Sequence, residues 1–193
     1  HADFSGEVER VINMADGCLL LVDSVEGPMP QTAFVLRRAF EKGLKPIVVI
    51  NKVERENARI VEVLKLTQDL FLELATSAEQ LDFPVIYASG KLGTASKEPG
   101  SAGSDIVPLF DTILEWVPPP QIETGPFQML VSNLDYDNHK GRIAIGRIWR
   151  GKIVPRDRVV AVGEGGVIAS AEINEVFTYL GLKRVGVNEA SAG

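Results

Sequence analysis

The sequence contains few of the residues that stabilise secreted, metal-binding or membrane-spanning proteins. It has 1 Cys and 2 His among 193 residues, so neither an internal disulfide nor a CxxC metal motif can form. The longest uninterrupted apolar run covers only residues 18–22, whereas a membrane-spanning helix needs about 20 apolar residues. No positively charged leader followed by an apolar segment opens the sequence. We therefore expect a soluble protein in a reducing, cytoplasmic compartment, with Cys18 in its core.

The composition is that of an ordinary globular protein. Hydrophobic residues make up 45% of the sequence and charged residues 24%, which excludes disordered and collagen-like chains. A length of 193 residues allows one large domain or two modules.

The net charge of −6 is unevenly distributed. Residues 1–117 carry a net charge of −7 and residues 118–193 a net charge of +1. Within the second part, residues 140–158 contain seven basic side chains and one acidic side chain. Such a cluster is typical of a surface that binds a polyanion.

Amphipathic helices and short apolar segments alternate in the first part of the chain. Helical periodicity predicts helices over 2–15, 31–42, 58–75 and 106–117. Apolar runs predict strands over 17–22, 46–50 and 84–88, and small polar residues predict a flexible loop over 91–104. Helices between short apolar strands favour an α/β fold with a parallel sheet whose strands are buried on both faces.

The second part has the two-residue period of β-strands. Strand patterns cover 127–134, 142–149, 158–162 and 169–176, and glycines separate them. A small antiparallel β-barrel is the expected assembly. Because three consecutive prolines begin at Pro118, we expect domains at 1–117 and 127–193, joined by a stiff linker over 118–126.

Polar residues follow each predicted strand of the first part, at the edge where open α/β sheets bind their ligands. The segment 51–54 reads NKVE and follows the second strand. A guanine edge offers two adjacent donors, the ring N1–H and the exocyclic amine, and one carboxylate can accept both. Glu54 is the candidate for that carboxylate, Asn51 can bond another edge of the base, and the Lys52 stem can lie across the ring. An ordinary polar turn between a strand and a helix is the alternative interpretation.

Several segments resemble the translational GTPases, and more specifically the TypA/BipA family of ribosome-associated GTPases. The segments that carry the resemblance, in the order of that family, are HADFSGEVER at 1–10, VDSVEGPMPQT at 22–32, NKVE at 51–54, YAS at 87–89, GLKRV at 181–185 and NEASAG at 188–193. Elongation factor G and the ribosome-protection GTPases share the earlier segments more loosely and are the alternative.

This resemblance implies a P-loop GTPase-type sheet followed by the β-barrel of translation factors. It implies that the parent protein binds and hydrolyses GTP with Mg²⁺ on the ribosome, in subunit assembly and stress adaptation, with rRNA but neither DNA nor a membrane as a partner. It assigns His1 to the catalytic position, where this side chain would orient the water that attacks the γ-phosphate. The guanine-binding role falls to Asn51, Lys52, Glu54, Ser89, Gly90 and Lys91.

The sequence also departs from the family's pattern. Glu54 stands where the family has Asp, and Gly90 where Ala is usual. The GxxxxGK[ST] motif, which cradles the phosphates and supplies a magnesium ligand, does not occur. We therefore expect a fragment, with the G domain lacking its phosphate-binding start and the barrel its last strand. Alone, it should hold no metal, bind no nucleotide and be inactive.

The basic segment offers candidates for contact with rRNA phosphates, where Lys and Arg supply salt-dependent affinity. These candidates are Lys140, Arg142, Arg147, Arg150 and Lys152. A solvated face of the barrel is the alternative interpretation, and a module that binds rRNA without nucleotide dependence is an alternative function.

Overall fold

A computed structural model describes residues 5–101 and 103–193 of the chain. His1 lies outside these residues, as do the other positions before Ser5. The chain divides into two compact units, His1–Pro119 and Pro120–Gly193, so that the division falls inside the run of three prolines. None of the helices in the described ranges is long and apolar enough to cross a bilayer.

The first unit is a four-stranded sheet with helices on both faces, in the strand order β1-β2-β3-β4. Its elements are α1 Ser5–Ile12, β1 Gly17–Asp23, α2 Pro30–Glu41, β2 Lys45–Asn51, α3 Ile60–Leu74, β3 Val85–Ser89, β4 Thr94–Ser96 and α4 Val107–Trp116. The strands β1, β2 and β3 pair in parallel, whereas β4 runs antiparallel to β3. The expected α/β class with a parallel sheet is confirmed.

Helix α2 illustrates how the local sequence sets the ends of an element. Pro30 occupies its first turn, where a missing N–H costs nothing. The Thr32 hydroxyl accepts a hydrogen bond from the Met29 N–H at 3.1 Å, which satisfies a donor at the helix start. Gly43 follows the helix with φ 68°, a left-handed conformation that glycine adopts without steric cost. The buried face of the helix consists of Leu36, Ala39 and Phe40.

Two apolar clusters lie on opposite faces of the sheet, because successive strand side chains point to opposite sides. On one face, strand residues such as Val48 and Ile50 pack against α2 and α3, with Phe71 fully buried. On the other face, residues such as Ile47 and Ile86 pack against α4. These clusters hold the carboxyl ends of β1, β2 and β3 at one edge of the sheet.

The expectation that all three apolar strands are buried on both faces is wrong for β1. Leu20 is 4% exposed, but Leu19 and Leu21 are 39% and 59% exposed. The physical reason is the position of β1 at the edge of the described sheet. Leu19 and Leu21 pair in register with residues of β2 that α4 covers. At the start of β1, a Cβ on Gly17 would lie 2.6 Å from a methyl of Val117, the residue that follows α4.

The predicted flexible loop over 91–104 is also corrected, because it contains strand β4. Thr94 pairs with Ser89 and Ala95 with Ala88, and the Ala95 N–H donates to the Asp105 carbonyl at 2.6 Å. A strand of three residues has no measurable period, so only the backbone pairing with β3 reveals it.

The second unit consists of antiparallel strand pairs. Its strands are β5 Gln128–Asp137, β6 Gly141–Arg150, β7 Lys152–Ile153, β8 Arg158–Gly163, β9 Gly166–Glu172, β10 Val176–Leu180, β11 Lys183–Val187 and β12 Ala190–Ser191. The pairs are β5 with β6, β8 with β9, β10 with β11, and β7 with β12. The expected antiparallel arrangement is confirmed at the level of these pairs.

One predicted strand of this unit, 169–176, is wrong as a single element. The chain leaves β9 after Glu172 and begins β10 at Val176. Between them, the Ile173 N–H donates to the Asp157 carbonyl at 2.9 Å, and the Ile173 carbonyl accepts from the Arg156 N–H at 2.7 Å. These bonds extend the β8–β9 register to Asp157 and Ile173. The chain then leaves this pair and enters β10, which pairs with β11.

Candidate functional site

The candidate site lies where β1, β2 and β3 end. Asp23 is the last residue of β1 and pairs in register with Asn51, the last residue of β2. Asn51 pairs in turn with Ala88, one residue before the end of β3 at Ser89. The sheet therefore brings together the three polar strand ends that the sequence singles out, as expected for an open α/β sheet.

Asn51 joins β2 to the turn that follows β3. Its side-chain Oδ1 accepts a hydrogen bond from the Gly90 N–H at 2.9 Å. The Asn51 amide nitrogen remains as a donor at the strand edge. This hydrogen bond holds the NKVE segment beside the turn at 89–93, so the polar groups of both segments lie at the same edge of the sheet.

Lys52 has an unusual backbone conformation. Its φ is 67°, in the left-handed region that non-glycine residues rarely adopt. Ser24 holds this conformation, because its hydroxyl donates to the Lys52 carbonyl at 2.8 Å and its N–H donates to the Asn51 carbonyl at 2.9 Å. The Lys52 Nζ lies 2.5 Å from Oδ2 of Asp23.

Glu54 carries a carboxylate that the protein leaves only partly satisfied. The Ser89 hydroxyl beside it, then its own backbone N–H and the charge of Lys91, hold the pKa of Glu54 below its usual value. Its Oε2 is buried and has no hydrogen-bond partner within the described residues. An unpaired buried carboxylate oxygen is costly.

The turn after β3 supplies a backbone donor. The Ser89 hydroxyl accepts from the Leu92 N–H at 3.2 Å, and the Ser89 carbonyl accepts from the Gly93 N–H at 2.8 Å. Because the Gly90 N–H is used by Asn51, the Lys91 N–H is the one amide of this turn without a partner in the part of the chain that the structure describes. It is available to an acceptor on a ligand.

The arrangement offers a carboxylate acceptor, an amide donor and a backbone N–H donor around the end of the sheet. A base with two adjacent donors and a neighbouring carbonyl satisfies all three groups, and guanine has that pattern whereas adenine has an acceptor at its ring nitrogen. The six guanine-binding candidates therefore lie at the same edge of the sheet, at the ends of β2 and β3 and in the turns that follow them.

Sequence reasoning missed the residues that hold this site in place. Ser24 is fully buried, and Arg59 donates from its backbone N–H to the Ser24 carbonyl at 2.9 Å. The Arg59 guanidinium also donates to the Val25 carbonyl at 2.7 Å and to the Glu26 carbonyl at 3.4 Å. In the sequence Ser24 follows an apolar strand, but nothing there indicates that its hydroxyl is buried, and nothing marks Arg59.

The basic candidates of the second unit are partly neutralised. Lys140 forms an ion pair with Glu175 at 2.7 Å, and Lys152 forms one with Glu189 at 2.8 Å. The Arg147 guanidinium lies over a Trp149 ring, 4.8 Å from its centroid.

Two candidates remain in this segment. Arg142 is exposed on β6. Arg150 is half-buried, and its Nε has no hydrogen-bond partner within the described residues. The segment is therefore less basic in effect than its composition indicates.

The catalytic candidate His1 lies outside the described residues. Within residues 5–101 and 103–193, no group of three or more His, Cys, Asp or Glu side chains could hold a metal ion.

Comparison with known proteins agrees with this geometry. Residues 1–119 match the family described as the elongation factor Tu GTP binding domain. The chain is 50% identical to the large ribosomal subunit assembly factor BipA of Salmonella typhimurium and 46% identical to that of Buchnera aphidicola, covering 100% of this chain and 32% of each relative. It thus spans about a third of the length of these curated relatives. The resemblance to the TypA/BipA family is confirmed.

Solved structures share the fold. The translation elongation factor SelB of Methanococcus maripaludis, in complex with the GTP analogue GppNHp, matches with a TM-score of 0.75 and 21% identity, covering 100% of this chain and 39% of that one. A bacterial selenocysteine-specific elongation factor matches with a TM-score of 0.72 and 22% identity, covering 100% of this chain and 30% of that one.

Proposed function

The chain belongs to the family of the elongation factor Tu GTP-binding domain, and on that premise we propose that it supplies guanine recognition to a GTPase that acts on the ribosome. Relatives with 50% identity carry the name of a large ribosomal subunit assembly factor. We extend that role to the full-length protein, which would work in the cytoplasm where ribosomal subunits assemble.

The observation that carries the proposal is the convergence of the NKVE segment and the end of β3, where the Gly90 N–H donates to Asn51 Oδ1 at 2.9 Å and the Val53 N–H donates to the Ala88 carbonyl at 3.3 Å. The Glu54 carboxylate accepts the ring N1–H and the exocyclic amine of guanine, and the lowered pKa keeps it ionised at neutral pH. Glu54 is one methylene longer than an Asp, and the Ser89 hydroxyl is the main group that lowers the pKa of its carboxyl.

The other groups complete the recognition of the base. The Asn51 amide nitrogen donates to a second edge of the purine, since its oxygen is occupied by the Gly90 N–H. The Lys91 N–H donates to the guanine carbonyl oxygen. The Lys52 stem lies across the ring plane, and its ammonium stays with Asp23.

Hydrolysis is assigned by family resemblance alone. We propose that His1 orients the water that attacks the γ-phosphate in the full-length protein. The magnesium ion that accompanies GTP finds no suitable group of ligands in the part of the chain that the structure describes.

Nucleotide competition in the full-length protein tests the proposal. A fluorescent GDP would be displaced by unlabelled GDP, by inosine diphosphate, which lacks the exocyclic amine, and by ADP. We expect inosine diphosphate to bind roughly 10- to 100-fold more weakly than GDP, because one hydrogen bond to a charged acceptor is lost. Equal competition by ADP and GDP would show that the site does not recognise guanine.

We also propose that the basic segment contacts rRNA, with Arg142 as the main residue. Arg142 is exposed, and Arg147 with Trp149 forms a stacked cation and ring that a nucleotide can extend. Lys140 and Lys152 are weaker candidates because they are ion-paired, and Arg147 and Arg150 are weaker because they are half-buried.

Ribosome binding at increasing salt tests this second proposal. Replacing Arg142 by Gln should weaken binding and reduce the dependence on log salt by about one unit, as expected for one lost phosphate contact. A variant with unchanged affinity and unchanged salt dependence would remove Arg142 from the interface.

A further inference from the structure

Asp23, the last residue of β1, contacts Lys52 of the NKVE segment at the end of β2. Its Oδ1 accepts hydrogen bonds from the Val25 N–H at 2.8 Å and the Glu26 N–H at 3.3 Å. Its Oδ2 lies 2.5 Å from the Lys52 Nζ. Two backbone amides therefore fix the carboxylate through one oxygen, and the other oxygen is left to the lysine.

The charge of Asp23 is retained at this position. Burial alone would raise the pKa of the Asp23 carboxyl, but the Lys52 ammonium and the amides of Val25 and Glu26 outweigh it and hold the pKa below its usual value. The Asp23 side chain is 14% exposed and that of Lys52 is 42% exposed. The ion pair is thus shielded on the side of the carboxylate, where solvent screening is weaker.

Both ends of the Lys52 side chain are held. At the backbone end, Ser24 bonds to the carbonyl of Lys52 and fixes its left-handed conformation. At the far end, the ammonium is bound by Asp23. A lysine side chain has high rotamer entropy, and ordering it before a ligand arrives removes that cost from binding.

We propose that Asp23 is a positioning residue of the nucleotide site, which holds the Lys52 stem in place as the floor for the purine ring. This inference rests on the proposed guanine-binding function. Without Asp23, the ammonium is free to leave the strand edge, and the stem must be ordered by the nucleotide itself. The contact of the Lys52 stem with the ring face does not involve the exocyclic amine. Asp23 should therefore contribute equally to the binding of guanine and hypoxanthine nucleotides.

The variant Asp23→Asn separates this role from base selectivity. Asparagine keeps an oxygen for the Val25 and Glu26 amides and removes the charge that binds Lys52. In the full-length protein we expect GDP and inosine diphosphate to bind about 10-fold more weakly, by the same factor. The ratio of the two affinities, which reports on Glu54, should be unchanged.

A double-mutant cycle tests whether Asp23 acts through Lys52. We expect Lys52→Met to weaken GDP binding by a similar factor and the double variant to be no weaker than Lys52→Met alone. Losses that multiply to about 100-fold would overturn the proposal, because Asp23 would then act independently of Lys52.

The matched control is Glu41→Gln, which removes the exposed ion pair between Glu41 and Arg38 on α2. It should leave GDP binding unchanged. Thermal unfolding shows whether Asp23→Asn is folded. If it is not, the second variant is Asp23→Glu, which restores the charge and is expected to retain most of the wild-type affinity for GDP. A folded Asp23→Asn protein with wild-type affinity for GDP overturns the inference, whereas a wild-type protein that does not distinguish GDP from ADP overturns the proposed function instead.

Discussion

Replacing Glu54 by Gln should change which purine the site prefers. The Glu54 carboxylate has a buried Oε2 without a partner among the described residues, and guanine would place two donors against this group. A hydrogen bond to a charged group contributes about 1.5–3 kcal/mol. Glutamine keeps one acceptor oxygen but sets its NH₂ against the guanine amine, so one charged bond is lost and the other weakened. The Kd for GDP should therefore rise roughly 30- to 1,000-fold.

Xanthine should gain what guanine loses. It has a carbonyl where guanine has the exocyclic amine, and the amide of the glutamine donates to that carbonyl while its oxygen accepts the ring N–H. The assay is displacement of a fluorescent guanine nucleotide by GDP and by xanthosine diphosphate in the full-length protein. The control is Glu56→Gln, an exposed glutamate of the same loop, which should change neither affinity.

The pH dependence gives an independent check on the same carboxylate. The Ser89 hydroxyl is the largest cause of the lowered pKa of Glu54, so the carboxylate stays charged as the pH falls through the usual value of 4.5. GDP affinity should therefore persist below that pH, and Ser89→Ala should move its loss to higher pH. If Glu54→Gln weakens GDP and xanthosine diphosphate equally in a folded protein, the assignment of Glu54 to the base edge is refuted.

Three further predictions concern the first unit. Leu20→Ala should destabilise the chain by about 2–5 kcal/mol in urea unfolding, because Leu20 is 4% exposed; its neighbour Leu21 is 59% exposed, so Leu21→Ala should cost less than about 1 kcal/mol. Burial raises the pKa of the Cys18 thiol from 9.0 to about 11, so a thiol reagent below pH 8 should find about 100-fold less thiolate in the folded than in the denatured chain. Gly90→Ala should raise the free energy of unfolding by about 0.4–1 kcal/mol, since the new Cβ would meet the Asn51 amide at an ordinary 3.6 Å; a loss of stability would contradict this.

Elements with a long periodic signal could be located from the sequence. Helix α2 runs from Pro30 to Glu41, one residue from the predicted 31–42, because its apolar face and the punctuation by proline and glycine agree. Strand β2 was found because its residues 46–50 are apolar and buried. The failures have a different origin. Whether Leu19 and Leu21 are buried depends on which helix covers the edge of the sheet. Strand β4 has only three residues, so it is recognised by its backbone pairing with β3 and not by a periodic pattern.

The part of the site that lies at the carboxyl ends of the parallel strands could be predicted from the sequence. Parallel strands carry their carboxyl ends to one edge, so Asn51 and Ser89 could be placed together without coordinates. The hydrogen bond from the Gly90 N–H to the Asn51 side chain follows from that placement. The contacts of Ser24 and Arg59 could not be derived, because each is a tertiary contact made by a residue whose type has no preferred role at its position.

The left-handed backbone of Lys52 explains why the loop after β1 matters to the site after β2. A non-glycine residue in this conformation costs about 1–2 kcal/mol, and it persists only where neighbouring groups stabilise it. Ser24 donates hydrogen bonds to the carbonyls of Asn51 and Lys52, and two such bonds contribute about 1–3 kcal/mol, enough to offset the cost. Arg59 binds the same loop through the carbonyls of Ser24 and Val25. The position of the base-binding segment is therefore set by the loop of the neighbouring strand, and any movement of that loop changes the backbone that carries Glu54.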